Sequence, residues 1–167
     1  QMHRGSKTTF HPARFALHGL VNYAGRNGSD KDRKLVSVAL VETLNASIND
    51  DIKDFMLEQL RFVADKSDIP AIEKYLLVAN TSHRAAAILV NIGGKKAEKA
   101  LVNAMPKAEG LCVTTIIKAL GDMGSEECVN ECISKMNIAT DQVLLRTIVY
   151  SLSRSGSQKA GNALKAK

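Results

Sequence analysis

One grammar recurs three times in this chain: an apolar helix end, a Gly or turn residue, then a second short amphipathic helix. The stretches are Leu89-Val-Asn-Ile-Gly-Gly-Lys-Lys-Ala-Glu-Lys-Ala-Leu, Leu120-Gly-Asp-Met-Gly-Ser-Glu-Glu-Cys-Val-Asn-Glu-Cys and Leu152-Ser-Arg-Ser-Gly-Ser-Gln-Lys-Ala-Gly-Asn-Ala-Leu. The leading leucines stand 31 and 32 residues apart. A fixed period of this size implies stacked helical hairpins, because one hairpin cannot bury its apolar face alone and must pack on the next. The expected fold is therefore all-α, an α-solenoid of about five stacked helical hairpins.

Composition agrees with that architecture. Apolar residues make up 45% of 167, enough for a continuous core, yet aromatics are only 4% and Trp is absent. Such a core is built from Ala, Leu, Ile and Val, and Ala-lined helices can approach closely. Runs rich in β-branched and aromatic residues are missing, so no sheet is expected. No apolar run reaches the ~18 residues of a membrane-spanning helix. The net charge of +6 permits an acidic partner or nucleic acid, but also describes many ordinary proteins.

Residues 1–10 are polar and basic, without an apolar leader core, and read as a disordered or artificial tail. Residues 11–167 read as one repeat domain. Beginning at Gln1, the chain reads as a fragment of a longer protein. Its compartment stays open: the free cysteines favour the cytoplasm, and a removed leader is compatible with this start.

Local signals place the helices. Pro12 suits the first turn of a helix running to Ala24. Asp30 opens a second, with Leu35, Val36, Ala39, Leu40 and Leu44 at helical spacing. Asn49 or Asp50 caps a third carrying Ile52, Phe55, Met56, Leu60 and Val63. Ser67 caps a short helix with Ile69, Ile72 and Leu76. Thr81 or Ser82 caps the next, which ends at Ile92. After Gly93-Gly94, Ala97, Ala100, Leu101, Ala104 and Met105 form a core face that Pro106 ends. Ile116, Ile117, Leu120 and Met123 follow, then a helix capped by Ser125. Thr140 caps the helix with Val143, Leu144, Ile148 and Leu152, and Ser157 caps the last.

The Gly121-Asp-Met-Gly-Ser125 turn after Lys118-Ala-Leu resembles the turn of HEAT-like repeats. The short repeat is similar to the subclass first named for phycobilisome lyases. The resemblance covers roughly residues 12–165 and is clearest at 81–136. It implies antiparallel helix pairs whose second helices line a concave face, mostly for protein binding. Some members of the family bind nucleic acid, bilin pigments or iron. Its deoxyhypusine hydroxylases hold two irons through His-Glu dipeptides, but here His3, His11, His18 and His83 precede Arg, Pro, Gly and Arg. Its DNA glycosylases use a Trp-containing aromatic cleft, which this chain does not encode.

Several clusters are candidate sites. Cys128 and Cys132 share a helix face and Cys112 precedes them, a set that could hold a soft metal. They also fall in register with Ala97 and Leu101, which makes them core residues, and no fourth ligand is evident. No metal and no cofactor is expected. His11, Arg14, His18 and Asn22 form a polar stripe on the first helix, read mainly as a solvated face opposite Phe15, Ala16 and Leu20. Gly93-Gly94-Lys95-Lys96 opens a helix where free N–H groups attract anions. It lacks the spacing of a P-loop and reads as a solvated hairpin tip. Asn27, Asn45 and Asn80 head glycosylation sequons, which matter only in a secreted eukaryotic protein. No catalytic residue is assigned, since the serines sit mainly at caps and no nucleophile elbow occurs.

With Ala97, Ala100, Leu101 and Ala104 inward, Lys95, Lys99 and Asn103 point outward, and Asn130 and Ser134 match them one repeat on. Glu126 falls opposite Lys95. With Lys74 these make a mixed polar strip: Lys74, Lys95, Lys99, Asn103, Asn130 and Ser134. A nucleic-acid groove should carry more Arg and Lys per repeat, with aromatics between them. The expected function is a non-enzymatic scaffold or spacer that binds a protein or peptide partner through this strip. A basic nucleic-acid-binding solenoid is the alternative, and a metal- or tetrapyrrole-binding module is a third.

Overall fold

The computed structural model describes residues 12–46 and 48–166, so the expected tail at 1–10 and His11 lie outside the described residues. Among these residues the chain is all-helical, without a strand. Ten α-helices follow in order: α1 (Pro12–Ala24), α2 (Asp30–Asn45), α3 (Asp50–Leu60), α4 (Ile69–Glu73), α5 (Ser82–Ile92), α6 (Gly94–Ala104), α7 (Leu111–Asp122), α8 (Val129–Ile138), α9 (Gln142–Arg154) and α10 (Gln158–Lys165). A 3-10 turn at Met105–Lys107 carries Pro106 beyond the end of α6.

The recurrent turn has one backbone geometry. Gly93, Gly124 and Gly156 each stand four residues after a buried leucine and adopt φ of 65°, 65° and 69°. Among the described residues only glycines take positive φ, because a side chain there meets its own backbone. At Gly124 the turn closes α7 with two reverse bonds, Ser125 N to Leu120 O and Gly124 N to Gly121 O, both 3.0 Å. That is the Schellman pattern, which satisfies carbonyls that the helix end leaves free.

This closure explains one correction. Ser125 does not cap α8, because its N–H finishes the preceding helix and α8 begins only at Val129, after Cys128. Ser67 does not cap α4 either: its hydroxyl and N–H both bond Asp65, and Asp68 heads the helix. At α9 the cap is Asp141, not Thr140, and its carboxylate accepts from Leu144 N at 2.8 Å. Thr81 heads α5, but its hydroxyl turns back to the carbonyls of Tyr75 and Val78. Ser157 heads α10 without a side-chain cap. Asn49 caps α3 as expected, accepting from Ile52 N at 2.9 Å.

Every substantial helix–helix contact joins elements one or two apart in the chain. The odd-numbered helices touch in series, α1 with α3, α3 with α5, α5 with α7, and α7 with α9, the last pair most extensively. Among even-numbered helices only α4 with α6 and α8 with α10 are in substantial contact. At the α7–α9 crossing a Cβ added to Gly121 would lie 2.8 Å from the Ser151 Cα, so the glycine permits the close approach.

The core runs through all of these layers. Leu57, Leu60, Ile72, Leu76, Ile88, Leu89, Leu101, Ile116, Ile117, Leu120 and Ile148 are among its fully buried side chains. Three expected faces are rotated. Leu35 is 72% exposed and Val143 63%, while Val36, Leu40 and Leu44 carry the buried face of α2. On α1 the buried residues are Val21 and Ala24, and Phe15, Ala16 and Leu20 lie exposed. The neighbouring helix decides which of two apolar stripes is covered, and spacing alone does not carry that information.

Candidate partner-binding face

Polar side chains on the odd-numbered helices are largely committed to one another. Arg14 pairs with Asp51, joining α1 to α3. His18 Nδ1 lies 2.8 Å from Gln59 Oε1, and its ring packs edge-on against Phe62. Arg14 and His18 thus reach toward α3, while the His18 side chain stays exposed, so the solvated-face expectation holds in part. Asn22, the third described member, is exposed.

Between α3 and α5, Arg84 holds Asp54 with two bonds of 2.9 and 3.0 Å, and reaches Glu58 at 3.5 Å. The Arg84 hydrogen bond holds the Asp54 carboxyl below the usual carboxylate range. Between α7 and α9, Asp122 accepts from Tyr150 Oη at 2.6 Å and from Lys118 Nζ at 2.7 Å. Burial opposes ionisation of Asp122, but these bonds outweigh it and lower its pKa.

One bond recurs with the repeat. Asn91, two residues after Leu89, donates to Arg61 O at 3.4 Å, and Arg154, two residues after Leu152, donates to Gly121 O at 3.0 Å. Each acceptor stands one residue after the buried leucine of the preceding odd-numbered helix, Leu60 or Leu120. A shallow cleft of about 340 Å3 opens between α5 and α7, lined by Ala86, Val90, His83, Lys118 and Asp122 together with Arg61.

The even-numbered helices present a different surface. All six residues of the expected strip are exposed: Lys74 closes α4, Lys95, Lys99 and Asn103 lie on α6, and Asn130 and Ser134 on α8. Lys74 donates to Asn45 Oδ1 and lies 5.3 Å from the Tyr75 ring centre. Lys95 bonds Glu98 at 2.8 Å and approaches Glu127 at 3.7 Å. The acidic residue it reaches in the next turn is thus Glu127, not Glu126, because α8 starts later than expected. The Lys95 bond, together with the Ser125 hydroxyl, lowers the pKa of the nearly buried Glu98. The side chains of Lys99, Asn103, Asn130 and Ser134 make no hydrogen bond or ion pair among the described residues.

Lys74 and Asn103 come together in one cleft of about 340 Å3 between α4 and α6, which also holds Leu77 and Lys107. Sequence reasoning missed Lys107. It stands four residues after Asn103, a helical neighbour spacing, but Pro106 had marked the end of the helix.

The cysteines Cys112, Cys128 and Cys132 are free and buried. Cys128 and Cys132 occupy the same fully covered layer as Ala97 and Leu101. Cys128 Sγ lies 3.5 Å from Ser125 O and 3.8 Å from Ser151 Oγ. Hydrogen bonding to Cys128, then burial, pushes the Cys132 thiol up, so it stays protonated. Among the described residues no three His, Cys, Asp or Glu side chains are grouped to hold a metal, and no helix is long and apolar enough to cross a membrane. No protein family and no curated protein sequence matches the chain.

Proposed function

We propose that the chain is a HEAT-like α-solenoid of about five helical hairpins, serving as a non-enzymatic protein-interaction scaffold or spacer. A protein or peptide partner would lie along the strip on α4, α6 and α8. Two features support the architecture: substantial contacts are confined to helices one or two apart, and the same glycine turn follows Leu89, Leu120 and Leu152. One observation carries the function. Lys99, Asn103, Asn130 and Ser134 are exposed and hold no hydrogen-bond or ion-pair partner among the described residues, whereas polar side chains bind each other across the α1–α3, α3–α5 and α7–α9 seams. Free polar groups on a rigid surface can bond a partner without first breaking internal bonds.

The test is affinity capture with the purified chain at low and high salt, repeated with Lys99→Ala, Asn103→Ala, Asn130→Ala and Ser134→Ala combined. The reading expects a discrete protein retained at high salt, its affinity at least ~10-fold lower in the combined variant, with unchanged helical content. Unchanged affinity sinks the strip. The net charge of +6 keeps nucleic acid as a second reading, recognised by capture that salt abolishes.

A further inference from the structure

A second surface, sharing no residue with that strip, lies at the hairpin tips. A cleft of about 660 Å3 opens where α2, the α3–α4 loop, the end of α5 and the start of α6 converge. Three cationic side chains from three elements line it: Arg33, Lys66 and Lys96. Lys66 and Lys96 form no ion pair among the described residues. Lys66 lies along the first turn of α6, its Cε 3.9 Å from where a Gly94 Cβ would be. Arg33 is fixed by Nη2, which donates to Gly25 O at 2.9 Å, while its buried Nε has no acceptor among the described residues. A buried donor without an acceptor is costly unless something fills the place.

The one acidic side chain in the cleft is already engaged. Asp65 accepts from the Ser67 N–H and hydroxyl, both at 2.6 Å, and these bonds, Ser67 hydroxyl first, lower its pKa. Lys34 stands 4.0 Å from the same carboxylate. Against Arg33, Lys66 and Lys96, Asp65 leaves an excess of two positive charges within the cleft. The uncapped start of α6, headed by Gly93 and Gly94, faces the same region and adds free N–H groups.

We infer that this cleft binds a phosphate dianion, free or as a monoester, whose charge matches the excess of two. Lys66 and Lys96 supply the mobile point charges and Arg33 the fixed donor. A phosphorylated side chain of a partner and free inorganic phosphate share this chemistry. The diester backbone of nucleic acid, with one charge per phosphate, matches it less well. The inference stands apart from the strip on α4, α6 and α8, since the two share no residue.

The test is calorimetric titration of the full chain with inorganic phosphate, a phosphoserine peptide, the same peptide unphosphorylated, and a single-stranded oligonucleotide. The inference expects binding of inorganic phosphate, of the phosphopeptide or of both, and none of the unphosphorylated peptide. Lys66→Gln combined with Lys96→Gln should weaken that binding at least ~10-fold with the melting temperature unchanged, because both side chains are exposed. Tighter binding of the phosphopeptide than of inorganic phosphate identifies a modified partner, and equal binding identifies free phosphate. Absence of binding to both, affinity unchanged in the double variant, or preference for the oligonucleotide overturns the inference. The combined alanine variant of the strip should leave phosphate binding intact, so the two readings can fail separately.

Discussion

The odd-numbered seams and the outer surface of α6 and α8 use similar polar residues for opposite ends. Across the α1–α3, α3–α5 and α7–α9 seams, charged and polar groups reach from one odd-numbered helix to the next, as Arg84 does to Asp54 and Tyr150 to Asp122. On α6 and α8, Lys99, Asn103, Asn130 and Ser134 form no hydrogen bond or ion pair among the described residues. Contact follows the same division, since the odd-numbered helices touch in series and the even ones do so only in part. Where helices approach closely, polar groups near the seam must find partners as they lose water. Where they splay, water serves instead and the groups remain available. Exposure alone would not separate the two sets, because Asp51, like Lys99, is exposed and yet paired.

The comparison breaks first at the odd-numbered seam. Leu120→Ala should destabilise the chain by ~3 kcal/mol, as expected for a cavity in a packed core, measured by urea unfolding. The control, Leu111→Ala on the same helix, should stay within ~0.5 kcal/mol, since Leu111 is 74% exposed. Equal losses would mean that α7 is not seated as described. Gly121→Ala should cost about 2 kcal/mol through overpacking against Ser151. A neutral result in the same assay would show that α7 and α9 stand further apart.

A smaller effect tests the bonds across the seam. Because Asp54 is held below its ordinary pKa in the folded chain, its ionisation favours folding. That contribution is complete above the unfolded value near ~4 and is lost as pH falls through the lower folded value. Arg84→Ala should therefore flatten the decline in stability below about pH 4, by less than ~1 kcal/mol, because the pair is partly exposed. Thermal melts of both proteins between pH 2.5 and 6 (roughly the carboxylate range) would measure this, and identical slopes would remove Asp54 from the account. The smallest effect belongs to the even-numbered surface. The combined alanine variant of Lys99, Asn103, Asn130 and Ser134 should unfold within ~0.5 kcal/mol of the parent. A larger loss would mean that these residues serve the fold.

Much of the helix layout was legible because local chemistry dictates it. Pro12, Asp30 and Asn49 mark starts that the structure shares, and Gly93, Gly124 and Gly156 mark turns where only glycine is at ease. The caps expected at Ser67, Ser125 and Thr140 lie one to three residues further on, at Asp68, Cys128 and Asp141. In each case a neighbouring acidic side chain or the previous helix end took the bond first. The strip was legible as outward-facing residues on α6 and α8, from the angle they make with Ala97, Ala100, Leu101 and Ala104. The Arg33–Lys66–Lys96 cleft was not, because its members come from a helix, a loop and a helix start that only the packing brings together.

By itself, then, the sequence determined helix positions, the recurring turn and the apolar layer that includes Cys128 and Cys132. These rest on interactions within a few residues or on a repeat of the chain with itself. Tertiary structure alone decided that His18 faces Gln59, that Leu35 and Phe15 lie exposed, and that three distant cations share one cleft. A helix carries more than one plausible apolar or polar face, and the choice belongs to whichever helix packs beside it.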